Sequence, residues 1–128
     1  MASSDEQPTI WAIRFTKRAR ADMEAAEDRL AEFIGEEKAE AWAAGLEDEA
    51  GKLAQFPTIW QIAEEDKLFK ENIRRMLYRR TRSGPAYRVL FVLSQNPDDA
   101  PTVFIIHVRH ATQAPMTQQE AWEIEASE

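Results

Sequence analysis

Ala86-Tyr87-Arg88-Val89-Leu90-Phe91-Val92-Leu93-Ser94-Gln95 is the stretch on which the fold turns. Aromatic and β-branched residues dominate it, and turn residues close it at both ends, so it reads as a strand. Two more candidate strands flank it, Asn72 to Arg80 before and Thr102 to Arg109 after. The links are Thr81-Arg82-Ser83-Gly84-Pro85 and Asn96-Pro97-Asp98-Asp99-Ala100-Pro101, both rich in turn chemistry. Links this short join antiparallel neighbours, so the three strands are expected to form a meander.

The N-terminal half supplies what the meander needs to be covered. Thr9 to Phe15 reads as a further strand, with Thr16 placed as the N-cap of a helix. Met23, Ala26, Leu30, Phe33 and Ile34 recur at helical spacing, and Gly35 is a plausible stop. A second helix from about Glu36 carries Ala39, Trp42, Ala43, Leu46, Ala50, Leu53 and Ala54 on one face, and Pro57 ends it. Gly45 and Gly51 each weaken that helix by about 1 kcal/mol relative to Ala, unless they serve a close helix–helix approach. Two helices with so short a link form an antiparallel hairpin. Ile59 to Phe69 reads as an irregular or partly helical connection. The order β-α-α-β-β-β predicts a two-layer α+β domain, the hairpin packed on an antiparallel sheet of three to four strands. The domain is expected over 9–110, after a flexible polar tail at 1–8. Residues 111–128 read as an acidic tail or, from Met116 to Ser127, a short helix.

Composition narrows the chemistry. A chain of 128 residues with 44% hydrophobic and 30% charged side chains suits one globular domain. The absence of Cys removes disulfides, thiolate metal sites and cysteine nucleophiles, and fits the cytoplasm. No apolar run approaches the roughly 18 residues that span a bilayer, and Met1 to Pro8 lacks the features of a signal peptide. The net charge of −7 argues against a general affinity for nucleic acid. Its distribution is uneven. Ala21 to Asp66 carries fourteen acidic side chains against three basic ones, whereas Lys67 to Arg88 carries eight basic against Glu71 alone.

Alternation places Arg74, Met76, Tyr78 and Arg80 on one face of their strand and Ile73, Arg75, Leu77 and Arg79 on the other. Arginine holds phosphate bidentately and stacks on bases, so one reading is an anion or RNA surface on the sheet face away from the helices. The other reading pairs these arginines with the acids of the helices and of Glu64-Glu65-Asp66. His107 and His110 lie on opposite faces of their strand and cannot share a metal ion through it, so no metal is expected. His110, at a strand end, is a candidate for moving a proton, or simply a structural residue. No hydrolase or phosphate-loop signature is present and only four glycines are available, so no cofactor is expected. Trp11, Trp42, Trp60 and Trp122 read as core and interface anchors, Trp42 lying on the helical stripe and Trp60 and Trp122 being the better candidates for partner contacts.

Taken in order, Arg14-Phe15, two acidic helices, Pro57, Ile73-Arg74-Arg75, Ala86-Tyr87-Arg88-Val89-Leu90-Phe91 and Ile105-Ile106-His107-Val108-Arg109-His110 resemble the RelE/ParE toxin superfamily, over roughly residues 9 to 113. The resemblance implies the growth-inhibiting toxin of a two-gene type II toxin–antitoxin module of the plasmid-stabilising kind, held inactive by a cognate antitoxin and oligomerising through that complex. It implies one of two targets. ParE-like members poison DNA gyrase, and RelE-like members cut messenger RNA on the ribosome. In the RelE-like case the resemblance assigns catalysis to Arg88, His110 and Tyr87. In either case Arg74, Arg75, Arg80, Arg82 and Arg109 are the candidate RNA- or target-binding residues. The Val108-Arg109-His110 ending is nearer ParE, and the stretch Ala111-Thr112-Gln113-Ala114 lacks the arginine that RelE-like nucleases add there. A third possibility is a non-toxic binding module that keeps the fold.

Overall fold

The computed structural model describes residues 9–95 and 100–127. The tail expected at 1–8 lies outside the described residues. In chain order the elements are β1 (Ala12–Phe15), α1 (Lys17–Ile34), α2 (Glu36–Gly51), β2 (Arg74–Tyr78), β3 (Tyr87–Ser94), β4 (Thr102–His110) and α3 (Gln118–Ala126). Three short 3-10 turns occupy the connection between α2 and β2. The order is the one the patterning predicts.

Local chemistry sets the helix ends. Thr16 is extended, and its hydroxyl accepts the Ala19 N–H at 3.1 Å, which starts α1. Gly35 then takes φ +90°, a value that side chains with a Cβ rarely adopt. It is both the C-cap of α1 and the N-cap of α2, so one glycine makes the hairpin bend. Gly45 serves a different contact from the one its position suggests. A Cβ there would collide with the Tyr78 hydroxyl, which donates to the Trp42 carbonyl at 2.8 Å. The close approach is therefore between helix and sheet, not between the two helices.

The strands are ordered β1-β4-β3-β2. β2, β3 and β4 form the expected antiparallel meander. The sheet as a whole is mixed, however, because β1 pairs with β4 in parallel. Parallel neighbours need a long crossover, and here residues 16–101 separate β1 from β4 in the chain.

One face of the sheet carries the expected layer. Met23, Trp42, Leu46 and Leu53 of the hairpin side pack on Met76, Val89, Phe91, Val103 and Ile105. The other face is covered as well. Ile73, Leu90, Val92 and Ile106 lie under Met116, Ala121 and Ile124, with Ala63 of the connection beside them. The C-terminal segment is thus a docked helix. Thr117 caps it by accepting the Glu120 N–H at 3.1 Å, and Gln118 Nε2 donates to the Leu68 carbonyl at 2.9 Å.

A β-bulge decides what the end of β4 presents. Phe91 faces Ile105 but Leu90 faces His107, so Ile106 is an extra residue. Beyond it the side-chain parity reverses. Val108 joins the core under the hairpin, and His110 stands opposite Tyr87 on that same side.

Candidate functional site

The arginines do not assemble into one surface. Arg88 is held by Glu64 at 2.7 Å and Glu65 at 2.5 Å, and its side chain is 13% exposed. For this residue the pairing with the protein's own acids prevails. Arg74 reaches the carbonyls of Thr58 and Trp60 at 3.1 and 2.6 Å, and Arg75 reaches Gln61 Oε1 at 2.8 Å. Both tie β2 to the connection that precedes it. Arg109 is buried. One of its nitrogens meets Glu120 at 3.1 Å and the other donates to the Ala114 carbonyl at 2.6 Å. Arg80 and Arg82 are exposed beside the β2–β3 turn. For Arg109 the physical reason is the covered second face: a guanidinium under α3 must be paired to be tolerated, and Glu120 of that helix supplies the acid.

Two of the three catalytic candidates do meet. Tyr87 and His110 are cross-strand partners whose ring centroids are 5.1 Å apart, edge to face. Trp42 packs behind Tyr87 at 4.8 Å. Arg88 follows Tyr87 on the strand and so points to the opposite face. His110 Nδ1 lies 3.1 Å from the Thr112 N–H and 2.7 Å from its hydroxyl oxygen. An amide N–H can only donate, so Nδ1 accepts and the ring hydrogen sits on Nε2. Burial pushes the Tyr87 hydroxyl above its ordinary pKa, and the charge of Arg29 opposes that rise.

A cavity of about 150 Å³ opens at this point, with Arg18, Arg29, Tyr87, His110 and Gln113 in its walls. Asp22, His107, Arg109 and Glu120 line it from below. Asp22 takes Arg18 Nε at 3.1 Å on one oxygen and the Val108 N–H at 3.0 Å on the other. That second oxygen is also 2.6 Å from His107 Nδ1. Arg109 Nη1 lies between His107 Nε2, at 3.3 Å, and Glu120. Asp22, Arg29 and Glu120 had no signal in the sequence. They are three charges among many on acidic helices, and only the fold selects them.

A second, larger opening runs along the outer edge of β1, with a volume of about 1040 Å³. Ile13, Phe15, Val92 and Phe104 supply its apolar lining, and Arg14, Lys17 and Arg20 its cations. Arg20 lies 4.2 Å over the Phe15 ring and pairs with Glu47 at 2.6 Å. Ala12 donates to Pro101 and Thr16 to Ile105, so even-numbered residues of this stretch face β4. The backbone groups of Ile13 and Phe15 consequently point to the open edge. Among the described residues no group of three or more His, Asp or Glu is placed to hold a metal ion, and no helix is long and apolar enough to cross a membrane.

A hairpin and a parallel edge strand on a three-stranded meander define the toxin-type fold, and the comparisons carry that further. A chain of the chromosomal ParDE toxin–antitoxin system from P. aeruginosa superposes with a TM-score of 0.59 at 17% identity, covering 79% of this chain and 96% of that one. No curated protein matches the sequence. The family model of the ParE toxin of type II toxin–antitoxin systems (parDE) matches residues 13–115, and the chain belongs to that family. It is a type II toxin component, nearer ParE than RelE. The match stops at 115, just before α3.

Proposed function

We propose that this toxin acts in the cytoplasm by binding a protein target, DNA gyrase in the manner of ParE, and is neutralised by a cognate antitoxin. One observation carries the choice of target class. Metal-independent RNA cleavage needs a proton acceptor, a proton donor and a phosphate-holding cation around one scissile bond. Here Tyr87 and His110 stand on one face of the sheet with Arg29 of α1 as their free cation, while Arg88, the arginine that the RelE-like resemblance puts at the scissile phosphate, lies on the other face between Glu64 and Glu65. Arg80 and Arg82, exposed near the β2–β3 turn, are the cations best placed to touch a target.

The antitoxin is placed at the outer edge of β1. That edge offers unpaired backbone groups, an apolar floor and, with Arg20 already paired to Glu47, the cations Arg14 and Lys17 against Glu71, which suits an extended acidic segment that adds a strand as it folds. Oligomers arise through that complex.

The test is expression of the toxin in bacteria, read by primer extension on translated messages and by DNA-damage induction with stalled gyrase. Gyrase stalling with intact messages is expected. Codon-dependent cleavage that disappears in Arg88→Ala overturns the reading in favour of the ribosome-dependent nuclease. Unimpaired growth overturns it in favour of a non-toxic binding module.

A further inference from the structure

The cavity at the end of β4 has features that toxin action on either target does not require. Its walls hold two acids, Asp22 and Glu120, and both are already engaged. Asp22 binds Arg18 and the Val108 N–H, and Glu120 binds Arg109. Arg29 is the cation left over. It is exposed, no carboxylate lies within 4.0 Å of it among the described residues, and its charge acts on the Tyr87 hydroxyl. That hydroxyl itself makes no hydrogen bond among the described residues. His110 adds a third donor. Thr112 occupies its Nδ1 with an amide and a hydroxyl, so Nε2–H is the ring hydrogen it has to offer.

We propose that this cavity is a carboxylate-binding site that takes one acidic side chain of a protein partner, with Arg29, His110 Nε2–H and the Tyr87 hydroxyl as its donors. Size and charge select that ligand. Whole small-molecule ligands occupy pockets of about 300–1,000 Å³. A cavity of 150 Å³ admits a single head group. A phosphate brings close to two negative charges, and a carboxylate brings one. The fixed charges of the wall, Arg18, Arg29 and Arg109 against Asp22 and Glu120, leave one net positive charge, which a single carboxylate balances and a dianion exceeds. A planar guanidinium beside directed N–H and O–H donors matches the two oxygens of a carboxylate. The inference concerns recognition alone and holds whichever target the toxin inhibits.

The experiment is a titration of the full chain with sodium acetate, followed by NMR at the rings of His110 and Tyr87 at constant ionic strength. Inorganic phosphate is the parallel probe. Saturable shifts with acetate are expected, weakened by about tenfold or more in Arg29→Gln, the range for a hydrogen bond to a charged group. Arg29 is exposed, so this variant tests binding without unsettling the core. His110→Phe removes the Nε2–H donor and should also weaken acetate, read at the Tyr87 ring, whereas the distant Arg80→Gln should not. Unsaturable shifts, shifts unchanged in both Arg29→Gln and His110→Phe, or tighter binding of phosphate than of acetate would each overturn the proposal.

Discussion

Arg109 carries a full charge into a place where its side chain is only 3% exposed. It is tolerated because Glu120, the Ala114 carbonyl and His107 surround it. Removing one partner of such a pair costs more than removing both. Glu120→Ala is expected to destabilise the chain by about 3 kcal/mol, measured by urea unfolding, and Arg109→Leu with Glu120→Leu should recover most of it. The two tyrosines give a second residue-level test. Burial raises the pKa of both Tyr78 and Tyr87 above the ordinary value near 10. A raised folded pKa means that the native state holds its proton longer than the unfolded chain. The associated stability is therefore complete below about pH 10 and is lost as the pH climbs past the folded values. Urea midpoints should fall above that pH in step with tyrosinate absorbance. A midpoint constant while both tyrosines ionise would contradict the burial argument.

At the scale of elements, α2 holds two glycines with opposite roles. Gly51 is helical at φ −59°, and a Cβ added there meets nothing within 4 Å. Gly51→Ala should stabilise the protein by up to about 1 kcal/mol. At Gly45 the same change pushes against the Tyr78 hydroxyl in the core, and should cost about 1–3 kcal/mol despite the better helix propensity. Thermal unfolding of the two variants should move in opposite directions. The sequence marks both glycines as helix-weakening and cannot tell them apart, because the difference lies in a tyrosine on β2. α3 is a similar case. Its short amphipathic pattern reads equally as a tail, and what makes it a helix is the apolar face of Ile73, Leu90, Val92 and Ile106 on which it docks.

For the molecule as a whole, charge separates by region. Acidic helices surround the sheet, while Arg14, Lys17 and Arg20 gather at the free edge of β1. An acidic antitoxin should therefore associate faster at low ionic strength, and Arg14→Glu with Lys17→Glu should slow association by about tenfold while changing dissociation less. Stopped-flow association rates over a salt series check this, and a rate indifferent to salt would rule out the basic edge as the docking place.

By itself the sequence determined the element order, the antiparallel meander, the helical hairpin with its Gly35 bend, and the family likeness. Each of these follows from local signals: period-2 and period-3.6 patterning, caps and turn residues. Only the tertiary structure decided that β1 joins in parallel, that α3 closes the second face, and that Arg88 spends its charge on Glu64 and Glu65. It also decided, through one extra residue at Ile106, that His110 and not His107 shares a face with Tyr87. Pairing of buried charges and the register of a bulged strand depend on residues far apart in the chain, and no local pattern encodes which of them will meet.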